Sequence, residues 1–327
     1  MSSAALAPVL GNALQGRDFL NVSDLSSEQL VELLRLAAFL KARPSSVQHG
    51  PLRGRTVALL FEKPSLRTRV SFEVAANQLG GQTLFAHGSE FAIGSRETPE
   101  DAAHVLSRYV DAIVVRTHAH EPLERFARAA GVPVINGLSA ASHPCQALAD
   151  ALTLQERFGD VAGLRVAYAG DATNNVAVSF AEAVVMLGAT IQFAAPPSHR
   201  PSPALLERLA YLGRRSGGAA RTFANPARAM RGVDAVYTDV WTSMGEERYR
   251  EQNQAMLGPY AVTEELLAHA ASHAVFLHCL PAHRGEEVVA SVIDGARSVV
   301  FDQAENRMHA QKALLVTLLT DRRGFPV

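Results

Sequence analysis

Cysteine is scarce in this chain: two in 327 residues, Cys145 and Cys279, set far apart. That scarcity argues against a disulfide framework and fits a reducing compartment. An excess of one charge is also lacking, since 31 Lys and Arg stand against 32 Asp and Glu, a formal net charge of −1. Such a balance gives no basic field of the kind that holds nucleic acid. No apolar run approaches the length of a membrane span, and the mildly apolar Ser2–Leu14 lacks the basic start of a secretory signal. The expectation is a soluble, cytoplasmic protein with neither nucleic acid nor membrane as partner. Internal repeats and low-complexity tracts are missing too. What is there is a globular composition, 48% hydrophobic and 19% charged, at a length that suggests two domains.

Short β-branched apolar runs alternate with longer amphipathic segments. Strands are expected at 57–61, 82–86, 111–116 and 132–135, then at 164–169, 190–195, 234–238, 274–278 and 298–301. Helical patterns fall between most of them. This alternation implies an α/β protein whose mostly parallel sheets are covered by helices on both faces. Ser26-Ser27-Glu28-Gln29 reads as a capping box ahead of a helix with Leu30, Leu33, Leu34, Ala37 and Leu40 on its apolar side. A helix from about Gln146 to Phe158 separates the halves, and another from about Arg307 to Leu319 follows the last strand.

The densest chemistry lies in Phe61-Glu62-Lys63-Pro64-Ser65-Leu66-Arg67-Thr68-Arg69. A strand turns into a helix there, so free backbone N–H groups and the positive helix end meet two hydroxyls and two guanidiniums. That is an anion site suited to a phosphate. Open α/β sheets bind ligands at the carboxyl ends of their strands. In the first half those ends lead to Arg116-Thr117 and to His143-Pro144-Cys145-Gln146. In the second half they lead to Gly170-Asp171-Ala172-Thr173-Asn174-Asn175, to Asp239-Val240-Trp241-Thr242-Ser243-Met244-Gly245 and to His278-Cys279-Leu280-Pro281. The first set is cationic and donor-rich. The second mixes a carboxylate with amides, a hydroxyl and a thiol, which suits a zwitterionic amine.

Plainer readings stand beside these. Arg116 alone reads as an edge-strand arginine, His143 before a proline as a structured turn, and Cys279 as a small buried hydrophobe. Gly170-Asp171 is half of a dinucleotide fingerprint, but Ala172, Asn174 and Asn175 stand where further glycines are needed, which speaks against a dehydrogenase. His278 and His283 around Cys279 make a weak zinc case without other ligand pairs.

Taken in order, the 61–69 segment, His143-Pro144-Cys145-Gln146, the D-x-x-x-S-M-G of 239–245, His278-Cys279-Leu280-Pro281 and Glu305-Asn306-Arg307 closely resemble the aspartate/ornithine carbamoyltransferase family. The resemblance runs from about Asp18 to Leu319, and the S-M-G and H-C-L-P pair is that of its ornithine branch. It implies a two-domain enzyme with its active site in the interdomain cleft. Residues 1–145 would bind carbamoyl phosphate, with a C-terminal helix of about 306–327 packing back, and residues 146–305 would bind ornithine. It also implies transfer of a carbamoyl group to the δ-amine of L-ornithine, giving citrulline and phosphate, with no metal or organic cofactor. A homotrimer, or a multiple of one, is implied as the assembly.

By the same resemblance Ser65, Leu66 (through its backbone), Arg67 and Thr68 hold the phosphate, Arg116 and His143 polarise the carbonyl, and Gln146 and Arg307 complete the carbamoyl phosphate site. Asn175, Asp239, Ser243 and Met244 bind ornithine, and Cys279 and Leu280 lie beside the reacting groups, with Cys279 a catalytic residue and either its thiol or the departing phosphate as proton acceptor. Two positions depart from the family pattern: Leu66 replaces a usual threonine, and Ala92 replaces a polar side chain that reaches a neighbouring subunit's site. Ser89, Ser95 and Arg96 are the candidates to substitute for it. A related amine, N-acylornithine or putrescine, is the alternative acceptor.

Overall fold

Thr56–Phe61 (β1) is apolar in every residue after the first and buried along the same stretch, as a central parallel strand must be. It anchors a sheet in the computed structural model, which describes residues 14–43, 50–88, 90–91, 97–242 and 247–321. β2 (Gln82–His87) pairs on one side of β1, β3 (Ala112–Arg116) on the other, and β4 (Val134–Leu138) beyond β3. All pairings are parallel, in the order β2-β1-β3-β4. The helices of this region are α1 (Ser27–Lys41), α2 (Leu66–Gln78), α3 (Pro99–Leu106) and α4 (His120–Ala129), followed by α5 (Pro144–Phe158). The capping box opens α1 as expected, with Ser26 Oγ accepting from Gln29 N–H and Gln29 Oε1 from Ser26 N–H. Phe19 lies along the free edge of β4, exchanging backbone bonds with Val134 and Asn136.

A second sheet is built from β5 (Arg165–Ala169), β6 (Thr190–Ala194), β7 (Ala219–Phe223), β8 (Ala235–Thr238) and β9 (Val275–Leu277), parallel throughout in the order β7-β6-β5-β8-β9. With it go α6 (Asn175–Met186), α7 (Pro203–Ser216), α8 (Pro226–Met230), α9 (Arg250–Leu257), α10 (Glu264–Leu267), α11 (Ala290–Ile293) and α12 (Val300–Leu319). Tyr168, Phe180, Phe193 and Tyr237 fill the core on one face, and Phe276, Val236 and Met230 the other. The described parts of Met1–Leu152 and Arg307–Val327 make one compact unit, and those of Thr153–Asn306 a second. Each boundary falls inside a helix, α5 or α12.

Two expectations about strands need correcting. Ala219–Phe223 is a strand the pattern does not announce, because an edge strand with Arg221 and Thr222 exposed carries no apolar run. Residues 298–301 are not a strand: Ser298 makes one isolated bridge to Phe276, and Val300 already begins α12. A short apolar run reads equally as a buried helix start. Among the described residues no helix is long and apolar enough to cross a membrane.

Each sheet has one place where the strand order reverses. From β1 the chain moves to β2 on one side, then returns to β3 on the other; from β5 it moves to β6 and β7, then returns to β8. Crevices outside the carboxyl ends of such strands are where open α/β sheets take ligands.

Candidate active site

At the β1/β3 reversal the chain enters α2 with Ser65 as N-cap. Its Oγ accepts from Thr68 N–H at 3.4 Å and donates to Thr68 Oγ1 at 3.0 Å. Leu66 and Arg67 follow in the first turn with exposed side chains, Leu66 at 76%, so Leu66 offers this place only its backbone. Arg69, counted in the sequence as a second guanidinium for an anion, is turned elsewhere. It donates to Glu73 at 2.8 Å and lies 3.8 Å over the Phe85 ring, which leaves Arg67 as the motif's remaining guanidinium.

Arg116 ends β3 and is buried. Glu62, to which the sequence reading gives no role, fixes this strand end. Its N–H donates to Arg116 O at 2.8 Å, and its carboxylate accepts from Thr117 Oγ1 and from His118 N–H. His143 stands just before Pro144, its carbonyl accepting from Gln146 and Ala147 N–H as α5 begins. Burial first, then the Arg307 and Arg116 guanidiniums, hold the His143 ring well below its ordinary pKa of 6.5. The imidazole is therefore neutral near pH 7 and keeps one N–H to donate.

α5 and α12 bring the next two candidates together. Buried Arg307 donates to Gln146 Oε1 and, at 2.8 Å, to Thr68 Oγ1. Gln146 Nε2 donates to Asp150 Oδ1 at 2.8 Å. Ser65, Thr68, Arg307, Gln146 and Asp150 thus form one network that starts at the α2 N-terminus. Cys145 lies behind it, donating to Asn136 O, and burial pushes its thiol up to about 12, which marks it as structural.

The second set gathers at the β5/β8 reversal. Asn174 caps α6 by accepting from Ala177 N–H at 2.7 Å, and Asn175 is the first helical residue. Asp239 leaves the end of β8 almost fully buried, and burial pushes its carboxyl above the ordinary value against hydrogen bonds from Cys279 Sγ, at 3.0 Å, and Val240 N–H. Leu280 next to it has a left-handed backbone, φ 57°. Its N–H donates to His278 Nδ1 at 2.9 Å, so the ring proton sits on Nε2, which faces Glu287 Oε1 at 3.2 Å. Gln303 Oε1 accepts from His278 N–H, and Gln303 Nε2 donates to Tyr237 Oη. Glu287 and Gln303 escape a sequence reading because their partners lie 9 and 25 residues away in the chain. Ser243 and Met244 lie outside the described residues, as do Ser89, Ala92, Ser95 and Arg96.

Asp239, His278 and Cys279 present ligand atoms within 4.8 Å of one another, as do His283, Glu286 and Glu287. In the first group both ring nitrogens of His278 and the thiol of Cys279 already serve hydrogen bonds within the fold. In the second, Glu286 is engaged by Arg250. Glu287 Oε1 in that group accepts from His283 N–H.

Two family models match the chain in succession. The carbamoyl-P binding domain of aspartate/ornithine carbamoyltransferase covers residues 17–156, and the Asp/Orn binding domain of the same family covers 162–318. The chain belongs to the aspartate/ornithine carbamoyltransferase family. Ser65, Thr68, Arg116, His143 and Gln146 fall under the first of its domains, and Asn175, Asp239, Cys279 and Arg307 under the second. The ornithine carbamoyltransferase of Acidothermus cellulolyticus is 49% identical, with 95% of this chain and 99% of that protein aligned. That of Hyperthermus butylicus is 48% identical over 94% of this chain and 98% of its own length. The solved ornithine carbamoyltransferase of Pyrococcus furiosus superposes with a TM-score of 0.89 at 44% identity, covering 94% of this chain and 98% of that one. Family membership and the two-domain α/β fold are thereby shown together.

Proposed function

We propose that this chain transfers the carbamoyl group of carbamoyl phosphate to the δ-amine of L-ornithine, giving L-citrulline and phosphate. The observation that carries the reading is the buried Arg307 tying Thr68 to Gln146 at the α2 N-terminus, in the same unit as Arg116 and a neutral His143. It supplies donors for a phosphate and for a carbonyl oxygen. Ser65, Arg67, Thr68 and the Leu66 N–H hold the phosphate. Arg116 and the His143 N–H stabilise the charge that grows on the carbonyl oxygen as the amine attacks, and Gln146 and Arg307 orient the carbamoyl group.

The acceptor is held by the other set. Asp239 takes the α-ammonium, a cation that offsets its unfavourable burial, while Asn175, Ser243 and Met244 take the rest of the amino-acid head. Cys279 and Leu280 lie beside the reacting amine. Only the neutral δ-amine is a nucleophile, and an alkylamine of this kind has a free pKa near about 10.4. Its nitrogen bonds to the carbonyl carbon, the carbon–oxygen bond to phosphate breaks, and the departing phosphate takes the surplus proton. No residue in this scheme requires a metal or organic cofactor. The name borne by the relatives supports ornithine as acceptor, and we assign the reaction to arginine biosynthesis in the cytoplasm.

A citrulline-formation assay comparing L-ornithine, N-acetylornithine and putrescine tests the acceptor. Acetylation removes the charge that Asp239 binds, and one charge-assisted hydrogen bond contributes about 1.5–3 kcal/mol, roughly ten- to a hundredfold. L-Ornithine is expected to lead by at least that much. Equal or better turnover of N-acetylornithine would overturn the assignment.

The proposed assembly is a homotrimer or a multiple of it. Leu66 and Val70 on α2 are 76% and 45% exposed, and Leu84 on the edge strand β2 is 57% exposed. Apolar side chains at a sheet edge and its neighbouring helix suit contact with a second copy. Light scattering is expected to give three chains or a multiple, and Leu84→Glu a smaller species. A monodisperse, active monomer rejects the assembly.

A further inference from the structure

Trp241 is the only tryptophan of the chain. It follows Asp239 by two residues, is 6% exposed, and its indole Nε1 is buried with no hydrogen-bond partner among the described residues. Buried polar groups left unpaired in a native fold are few, so this one needs an account. Its position is firm. Asn253 Nδ2 donates to Trp241 O at 2.8 Å and to Thr242 Oγ1 at 3.2 Å. The indole is pressed onto Gly170 at the end of β5: a Cβ there would meet Nε1 at 3.0 Å and Cδ1 at 3.3 Å. Gly170 also has φ +111°, so both the room and the backbone require glycine. The N–H therefore sits at the carboxyl ends of β5 and β8, at the reversal of strand order where ligands are taken.

Among the described residues, three acceptors at these strand ends already serve other donors. Asp171 Oδ1 accepts from Thr173 N–H and Oγ1, Asp239 Oδ1 from Cys279 Sγ, and Ala169 O from Thr238 Oγ1. The same strand ends carry the α6 N-terminus with Asn175, which favours an anion, and Asp239, which favours a cation. A zwitterionic α-amino acid matches both.

We infer that the indole N–H of Trp241 donates a hydrogen bond to the α-carboxylate of the amino-acid substrate, making Trp241 a determinant of specificity for amino acids over simple amines. This rests on the ornithine reading above. With one tryptophan, ¹⁵N-labelled enzyme gives a single indole N–H resonance. L-Norvaline, which has the ornithine skeleton without the δ-amine, is added together with carbamoyl phosphate and is expected to move that proton downfield. Butylamine, which lacks the carboxylate, leaves it in place. Trp241→Phe is expected to raise KM for L-ornithine about ten- to a hundredfold, what one hydrogen bond to a charged group contributes. The loss falls on ornithine KM rather than on kcat or carbamoyl phosphate KM. A resonance unmoved by saturating L-norvaline, in an enzyme that forms citrulline, overturns the inference even if Trp241→Phe fails to fold. An enzyme that forms no citrulline overturns the underlying reading instead.

Discussion

Arg116→Lys is expected to lower turnover about a hundredfold or more while leaving the melting temperature close to that of the parent. Lysine keeps the charge but loses the planar fork, and a donor displaced from the developing oxyanion is worth roughly 10²–10³ in kcat. The strand end survives the change because Glu62 holds it through backbone and Thr117 contacts that do not involve the Arg116 side chain. Steady-state kinetics and thermal melting of the same preparation decide the matter. Normal turnover with early melting makes Arg116 structural and removes it from the mechanism.

Arg307→Met is expected to act on carbamoyl phosphate and on His143 at once. The methionine leaves Gln146 Oε1 and Thr68 Oγ1 without their donor and takes a cation from the phosphate site. Losing one charge-assisted hydrogen bond to carbamoyl phosphate, at about 1.5–3 kcal/mol, puts the loss in kcat/KM for that substrate at roughly ten- to a hundredfold. Arg307 is also the second cause, after burial, of the depressed His143 pKa. Its removal moves that pKa back up toward 6.5.

The sign of the pH effect follows. His143 is held neutral in the fold below its unfolded value, so its contribution to stability is present above about 6.5 and is lost as pH falls through the folded value. In Arg307→Met the folded value lies nearer 6.5, so this acid-side loss is smaller. NMR titration of the His143 ring in both proteins measures the shift. An unchanged His143 pKa together with an unchanged KM for carbamoyl phosphate excludes Arg307 from the site.

The candidate residues were legible in the sequence where chemistry and punctuation coincide. Ser65 to Thr68 could be found because an apolar strand, a proline and a helix pattern bracket them, and hydroxyl and guanidinium side chains at such a turn have few other uses. His143 and Gln146 stand out in the sequence together with their proline. Arg69 shows the limit. Its spacing is as good as that of Arg67, yet Glu73 one helical turn on and Phe85 on the adjacent strand take its guanidinium. The strand β7 was missed for a related reason. An exposed edge does not bury both faces, so its residues leave no apolar run.

By itself the sequence determined the α/β alternation, the capped helix starts and the ordered motifs at the carboxyl ends of strands, because these depend on local periodicity and turn chemistry. Only the tertiary structure decided which partners those motifs meet. Arg307 reaches Thr68 across 239 positions of sequence, Cys279 reaches Asp239 across 40, and Trp241 closes on Gly170 across two neighbouring strands. Contacts of that kind are set by strand order, and strand order follows from how two faces of a parallel sheet are covered at once. No local pattern in the chain encodes it.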